Sequence, residues 1–236
     1  MTELSAAQLT GRDENHLEFR DGRGLTPECW QAFDALQADA RAAGFDLQVA
    51  SAFRSFERQR LIFNGKATGE LEVHDDAGAR IDMSTLSAQQ QLHAILRFSA
   101  LPGASRHHWG TDLDVFDAAA CLAGYRVQLT PEEVAPEGIF GPLHAWLDER
   151  MAAGRAHGFF RPYDQDRGGV AVERWHLSFA PQSGACERLF SEQVLAEALD
   201  ACDLALADEV RAALPDLYQR YVRAISPTPG ACAGSE

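Results

Sequence analysis

The chain has 236 residues, of which 46% are hydrophobic, including 13 Phe and 4 Trp, so it can bury one good-sized core. This composition excludes a chain that is disordered throughout. The formal net charge of −14 argues against binding to a nucleic-acid backbone, which needs clustered Lys and Arg.

Cysteine usage and the N-terminal stretch bear on the cellular compartment. The five cysteines are an odd number without a CxxC pair, which is a poor basis for disulfides or a cysteine zinc site and favours a reducing compartment. The stretch MTELSAAQLTGRDENHLEF lacks the basic and apolar segments of a signal peptide, and no apolar run could span a bilayer. We therefore expect a cytoplasmic protein, with the periplasm as the alternative.

The first half of the chain predicts two helices and one strand. TPECWQAFDALQADARAAG predicts an amphipathic helix that Thr26 caps and Gly44 ends. FDLQVASAF alternates as a strand does, and SFERQRLIFNG is typical of a helix that stops at Asn64 and Gly65. Residues 65–84 are polar and contain glycine, which predicts an extended loop.

The second half predicts further helices and short strands. STLSAQQQLHAILRFSA predicts a helix capped by Ser84, and TDLDVFD alternates as a strand. PLHAWLDERMAAGRAHG predicts a helix that ends at Gly158, and FFRPY and WHLSFA predict two strands joined by a Gly-rich turn. After Pro181 the chain is mostly helical, and we expect its last residues to be frayed.

Helices and short strands are mixed without a regular βαβ alternation. This pattern predicts an α+β fold, with an antiparallel sheet flanked by helices. We expect a main domain over residues 1–185 and a C-terminal helical extension over residues 186–226 packed on it. A flexible tail is expected over residues 227–236.

Two predicted strands carry side chains that could hold a metal ion. In SALPGASRHHWGTDLDVFD, His107 and Asp114 are at an odd spacing, so on one uninterrupted strand they would face opposite ways. Gly110 lies between them and can bend the chain so that both converge. VERWHLSF adds His176, and two imidazoles with one aspartate suit zinc and leave a position for water. Glu173 is then the natural base for that water.

Other interpretations of these residues stay open at this point. Adjacent histidines near a carboxylate are commonly surface residues. A Glu-x-x-His pair can also belong to a di-iron helical bundle, but that design needs a second copy, which the sequence lacks. HLSFA is moreover typical of a strand rather than a helix.

Three separated motifs carry a resemblance to a known family. SALPGASRHHWGTDLD matches the signature S-x-H-x-x-G-x-x-x-D, ERWH is similar to E-x-W-H, and SAFRSFERQ resembles S-G-Y-R-S-x-x-x-Q. In this order they resemble the zinc D-alanyl-D-alanine carboxypeptidases, a VanY-like family grouped with D-Ala-D-Ala dipeptidases, some phage endolysins and the hedgehog fold. The resemblance covers about residues 30–180. The matching positions are Ser105, His107, Gly110 and Asp114; Glu173, Trp175 and His176; and Ser51, Arg54, Ser55 and Gln59.

The resemblance implies a hedgehog-type fold and a zinc metallopeptidase. His107, Asp114 and His176 would bind one Zn²⁺, and Glu173 would be the general base and later the acid that protonates the leaving amine. The implied substrate is a peptidoglycan stem peptide or precursor, which loses its C-terminal D-alanine. No nucleic-acid partner and no transmembrane segment are expected.

The resemblance also implies residues that contact substrate. Arg54 would hold a substrate carboxylate or the developing oxyanion, because a planar guanidinium matches carboxylate geometry. Ser105 would hydrogen-bond substrate or cap a turn, and Gln59 would contact substrate or pack in its helix. His108 is expected beside the site or exposed rather than as a ligand.

Two departures from the family pattern leave alternatives open. Asp112 stands where the family often has alanine, and it would either support the metal site or bond a neighbouring loop. Ala52 and Phe53 replace the usual Gly-Tyr, which leaves substrate preference, including D,D- against L,D-specificity, undecided. The alternatives in function are a muropeptide endopeptidase and a catalytically silent zinc-containing binding module, against which Glu173 argues.

Overall fold

The computed structural model of the protein describes residues 3–200 and 202–230. The strands are β1 (Glu18–Arg20), β2 (Arg23–Leu25), β3 (Leu47–Ser51), β4 (Asp112–Asp117), β5 (Phe159–Phe160) and β6 (His176–Phe179). β1 and β2 form a separate hairpin, and the other four form one sheet in the order β3-β4-β6-β5. Every neighbouring pair in that sheet is antiparallel, which confirms the predicted sheet type.

Helices occupy much of the remaining chain and flank the sheet. They are α1 (Ala6–Leu9), α2 (Pro27–Ala42), α3 (Phe56–Ala67), α4 (Ala88–Arg97), α5 (Pro131–Val134), α6 (Gly141–Ala152), α7 (Ala180–Leu189), α8 (Glu192–Asp200) and α9 (Ala207–Leu217). The 3₁₀ turn Arg106–Trp109 leads towards β4, and the π-helical turn Tyr218–Arg223 follows α9. α2 begins as predicted, because the Thr26 side chain accepts a hydrogen bond from the backbone N–H of Cys29.

The prediction that α3 stops at Asn64 and Gly65 is wrong, because the helix continues to Ala67. The Asn64 side chain donates to the carbonyl of Asp203 and accepts from the backbone N–H of Ala205. These bonds satisfy the amide through tertiary contacts, so it does not compete with the helix for local hydrogen bonds.

The predicted cap of α4 is also wrong, since Ser87 rather than Ser84 precedes the helix. Ser87 and Gln90 form a reciprocal capping box, in which each side chain bonds the other residue's backbone N–H. The Ser84 hydroxyl instead donates to the Asp82 carboxylate within a short turn.

Two predicted elements in the second half are shorter than expected. α6 ends at Ala152 rather than Gly158, because Gly154 turns the chain with a φ of +65°. β5 covers only Phe159–Phe160, since Pro162 has no N–H to continue the ladder.

Two clusters of apolar side chains form most of the core. One joins the sheet to α2 and α6, and its members include Leu36, Leu47, Leu113, Leu147 and Leu177. The other joins Trp109 and α4 to the C-terminal helices, through Leu92, Ile95, Leu195 and Leu217 among others. Each such side chain contributes about 1.5–3 kcal/mol when fully buried. The C-terminal helices therefore pack on the turn that leads into β4.

The predicted flexible tail is described only over residues 227–230. Within that part Thr228 is buried, and its hydroxyl donates to the carboxylate of Glu187, so this residue is not frayed. Residues 231–236 lie outside the described residues. None of the helices in the described part combines the length and apolar character needed to cross a bilayer.

Candidate metal centre

The register of β4 and β6 places a carboxylate beside an imidazole. Asp114 lies directly opposite His176 in this antiparallel pair. Directly opposed residues have Cβ atoms about 4.5–5.5 Å apart, and Nδ1 of His176 lies 3.4 Å from Oδ1 of Asp114. Strand pairing thus joins two predicted ligands that are far apart in the chain.

His107 reaches the same place from the turn before β4. Gly110 ends that turn with a φ of +69°, and a Cβ atom there would lie 2.2 Å from the Leu17 side chain. Nε2 of His107 lies 3.4 Å from Oδ2 of Asp114, and the rings of His107 and His176 are 4.7 Å apart. The glycine bend therefore brings His107 and Asp114 together, as the sequence predicts.

The three groups form a cluster that fits a divalent metal ion. The ligand atoms of His107, Asp114 and His176 all lie within 4.8 Å of one another, and all three residues are buried. Oδ1 of Asp114 accepts no hydrogen bond in the described part of the chain. A buried, unpaired carboxylate oxygen is costly, and a cation would satisfy it. Two imidazoles and one carboxylate also form a donor set that catalytic zinc sites use.

Neighbouring charges favour positive charge at this cluster. Burial opposes the charged form of Asp114, but His107 and His176 hold the pKa of its carboxyl below the ordinary value. Burial likewise opposes charge on His176, yet the neighbouring carboxylates of Asp112, Asp114 and Glu173 raise the pKa of its imidazole well above the ordinary value. The negative charge of these carboxylates, which favours a proton on His176, also favours a metal cation beside it.

Glu173 lies at the edge of the cluster, just before β6. Its Oε2 is 3.5 Å from Nδ1 of His176, and 14% of its side chain is exposed. The backbone N–H of Glu173 donates to the carbonyl of Tyr163, and the Arg161 guanidinium donates to the carbonyl of Arg174. The loop that carries Glu173 is therefore fixed on both sides, with the carboxylate within reach of water and of the cluster.

Arg54 and Ser105 line the cleft above the cluster, whereas Gln59 lies behind Arg54. Nη1 of Arg54 donates to Oε1 of Gln59 at 2.9 Å. Gln59 is completely buried, and its amide donates to Ser99 and to the carbonyl of Ala100. This burial agrees with the alternative that Gln59 packs in its helix, where it accepts a hydrogen bond from the guanidinium; contact between Gln59 and substrate stays a prediction.

His108 is buried and points away from the cluster. Its Nδ1 donates to the carbonyl of Arg54 at 2.5 Å, and its Nε2 accepts from the N–H of Gly103 at 3.0 Å. Burial lowers the pKa of His108 to about 3, so the ring stays neutral. Because the backbone N–H of Arg54 also donates to the carbonyl of His107, Arg54 is tied to the turn that carries the ligand.

The cluster lies in a cleft with a volume of about 550 Å³. Lys66 and Tyr163 also line it, and neither is singled out by the sequence motifs. The Tyr163 ring packs edge-on against His176, with centroids 5.0 Å apart. Lys66 follows Gln59 by seven residues on α3, close to two helical turns. This spacing, and the fact that Lys66 is the only lysine in the sequence, could have identified it.

The cleft wall carries two cations without an anionic partner. Neither Arg54 nor Lys66 forms an ion pair with any residue in the ranges 3–200 and 202–230. Burial is the main cause that lowers the pKa of both groups, and each feels the negative charge of Glu173. A poorly solvated cation is stabilised by an incoming anion, so this wall suits a carboxylate or an oxyanion.

Comparison with known families places the chain in one class of hydrolases. The VanY family model, described as D-alanyl-D-alanine carboxypeptidase, matches residues 22–182, which is more than half of the chain. The chain therefore belongs to the VanY family of D-alanyl-D-alanine carboxypeptidases. The match spans all three motifs and agrees with the extent of the resemblance seen in the sequence.

Two proteins of Haemophilus influenzae (strain ATCC 51907 / DSM 11121 / KW20 / Rd) are also similar, both named as uncharacterized. One is 47% identical over 103 residues, which cover 42% of this chain and 70% of that protein. The other is 31% identical over 124 residues, which cover 52% of this chain and 92% of that protein.

Two solved structures resemble the chain. One is a mutant of the vancomycin resistance D,D-pentapeptidase VanY from a VanB-type resistance cassette, in complex with Zn(II). It has a TM-score of 0.49 and 23% identity, with 78% of this chain and 89% of that chain covered. The other, VanYB in complex with D-Alanine-D-Alanine, has a TM-score of 0.47 and 23% identity, with 83% and 87% covered.

Proposed function

We propose that the protein is a zinc-dependent carboxypeptidase that removes the C-terminal D-alanine from peptidoglycan stem peptides or their precursors. The observation that carries the proposal is that His107, Asp114 and His176 meet in the lining of a cleft, with their ligand atoms within 4.8 Å of one another. Membership of a family described as D-alanyl-D-alanine carboxypeptidase supports the choice of substrate.

The cluster residues would hold the ion, and Glu173 would move the protons. When bound by His107, Asp114 and His176, zinc supplies a Lewis acid and lowers the pKa of coordinated water. The Glu173 carboxylate is 3.5 Å from His176 and partly exposed, so it can accept a proton from the water that attacks the peptide carbonyl. The same carboxyl then returns that proton to the amine that leaves.

The two unpaired cations of the cleft wall favour a carboxypeptidase over an endopeptidase. A carboxypeptidase must bind the free carboxylate of the last residue, and Arg54 and Lys66 offer positive charge without a competing anion. A guanidinium can grip a carboxylate or an oxyanion through two N–H donors, whereas an ammonium acts as a point charge. We assign the developing oxyanion to Arg54 and the substrate carboxylate chiefly to Lys66.

The zinc-loaded protein should be incubated with four peptides: a stem pentapeptide ending in D-Ala-D-Ala, the same peptide with an amidated C-terminus, a stem tetrapeptide, and a cross-linked muropeptide. We expect free D-alanine from the pentapeptide and much less product from the amidated peptide. Release of D-alanine from the tetrapeptide alone would indicate L,D-specificity, and cleavage of the cross-link alone would indicate an endopeptidase.

Glu173→Gln and Glu149→Gln provide a matched pair for the same assay, because Glu149 is exposed on α6 and does not line the cleft. We expect Glu149→Gln to behave as the wild type and Glu173→Gln to bind zinc but hydrolyse poorly. Equal and negligible rates in all three proteins, with zinc bound, would favour a binding module without turnover.

A further inference from the structure

A second buried carboxylate, Asp112, contacts His176 on the side opposite the cluster. Nε2 of His176 lies 3.0 Å from Oδ1 of Asp112. Nδ1 of the same ring faces Asp114 and Glu173, at 3.4 and 3.5 Å. Asp112 is completely buried, and it stands where the family signature often has alanine. Nε2 of His176 therefore faces the buried carboxylate of Asp112, whereas Nδ1 faces the cluster.

Asp112 is itself held by donors on both oxygens. Nε of Arg106 donates to its Oδ1 at 2.7 Å, and the Thr111 hydroxyl donates to its Oδ2 at 2.6 Å. With both carboxylate oxygens engaged by donors, Asp112 cannot rotate to become a metal ligand without breaking these bonds.

Arg106 extends this support to the C-terminal part of the chain. Its side chain is only 4% exposed, and it donates to Glu187 on α7 at 2.8 Å and to Ser178 on β6 at 2.7 Å. Glu187 in turn accepts from the hydroxyl of Thr228. The carboxylate behind His176 is thus supported by residues inside the family match and, through Glu187 and Thr228, by residues beyond its end at residue 182.

We infer that Asp112 is a positioning residue for the metal centre. By accepting a hydrogen bond from Nε2–H of His176, its carboxylate selects the tautomer whose Nδ1 lone pair points into the cluster. A neutral imidazole carries one ring proton, so a carboxylate on one nitrogen leaves the other free to bind metal. The inference rests on the proposed function, since it presumes that His176 binds zinc.

The test is the affinity for zinc, measured by competition with a chromophoric chelator on purified protein. Asp112→Asn preserves the shape and removes the charge, whereas Asp112→Ala removes the acceptor and leaves Arg106 with Glu187 and Ser178. Loss of such a supporting residue typically weakens metal binding about 10–100-fold. We expect the dissociation constant to rise in that range for Asp112→Ala and by a smaller factor for Asp112→Asn.

Asp117 offers the matched control on the same strand. It is also buried, but its carboxylate accepts from the backbone N–H groups of Asp46 and Ala119, away from the cluster. We expect the dissociation constant of Asp117→Asn for zinc to lie within about threefold of the wild-type value. Affinity depends on residues that bond the metal ligands, and Asp117 bonds none of them. Equal zinc affinity in folded Asp112→Ala, Asp112→Asn and wild type would overturn the inference.

A measurement on the wild type decides the question even if both Asp112 variants fail to fold. In ¹⁵N-histidine NMR of the zinc-loaded protein, we expect His176 to show a protonated Nε2 and a metal-bound Nδ1. A metal-bound Nε2 would overturn the inference while leaving the proposed function intact. Failure of the wild type to bind zinc at all would instead reject the proposed function.

Discussion

The two ring nitrogens of His176 face regions that differ in how completely their polar groups are paired. On the Nε2 side, both oxygens of Asp112 accept hydrogen bonds, and Arg106 donates to three different residues. On the Nδ1 side, within the described residues, Oδ1 of Asp114 accepts no hydrogen bond, and Arg54 and Lys66 have no anionic partner.

This contrast separates the region that holds the fold together from the region that is built to receive a ligand. Buried polar groups are nearly always paired in folded proteins, so a concentration of unpaired groups needs a partner from outside the chain. A cation would complete Asp114, and an anion would complete Arg54 and Lys66. We assign the paired side of His176, with Asp112 and Arg106, to the fold, and we propose that the unpaired side, with Asp114, Arg54 and Lys66, binds metal and substrate.

The largest effect is expected from removing the carboxylate of Asp114, which lies between both histidines on the unpaired side. Asp114→Ala deletes the carboxylate between both histidines, so zinc binding should weaken by more than the roughly 10–100-fold typical of a supporting residue. Hydrolysis should become undetectable. Chelator competition and the D-alanine assay check this, and Asp117→Asn on the same strand serves as the control. Retention of both zinc binding and activity in Asp114→Ala would contradict the role of Asp114 as a metal ligand.

The next effect separates metal binding from proton transfer. Glu173→Gln keeps the size of the side chain and removes its basic oxygen, so kcat should fall about 10²–10⁴-fold. Zinc stoichiometry, measured by metal analysis, should stay at one ion per chain. A parallel loss of zinc and activity would show that Glu173 acts as a ligand rather than as a base.

A substitution on the paired side should lower the free energy of unfolding. Arg106→Met leaves Asp112 buried without its guanidinium partner, and breaking one half of a buried pair costs about 3–5 kcal/mol. Urea unfolding of the metal-free protein measures this loss. Arg41→Met, at the exposed end of α2, should change the free energy of unfolding by less than about 0.5 kcal/mol. Equal effects of the two substitutions would contradict the scaffold role.

The smallest effect on activity is expected from Lys66, which forms no ion pair within the described residues. Lys66→Met should raise KM for the pentapeptide about tenfold, the low end for a hydrogen bond to a charged group. It should leave KM for the amidated peptide unchanged, and Lys66→Arg should recover part of the loss. Because no ion pair is broken, the free energy of unfolding should not fall. A drop in stability with unchanged KM would assign Lys66 to the scaffold.

Much of the unpaired side could be predicted from the sequence. His107, Asp114 and His176 lie in motifs whose spacing, together with the bend at Gly110, is typical of a metal site. The β4 strand is predicted because TDLDVFD alternates, and its pairing with β6 then follows from the antiparallel sheet. Such motifs contain residues that contact a ligand. They therefore identify polar groups that have no hydrogen-bond or ionic partner within the described residues.

Of the paired side, the sequence predicts only that Asp112 either supports the metal site or bonds a neighbouring loop, because the contacts that decide between these alternatives are tertiary. Alternation puts Asp112 on the same face as Asp114, but only the fold shows that Arg106, Ser178 and Glu187 surround it. The cap of α4 was within reach of the sequence, because Gln90 stands at the capping-box position after Ser87. The cytoplasmic location inferred from the N-terminal stretch stays a prediction.

We propose that one ion completes the cluster of His107, Asp114 and His176. Crystals grown with zinc should be measured at wavelengths on either side of the zinc absorption edge. We expect one anomalous peak among these three side chains, with Asp112 on the opposite nitrogen of His176. The absence of a peak there, or a peak bound by other residues alone, would contradict the account.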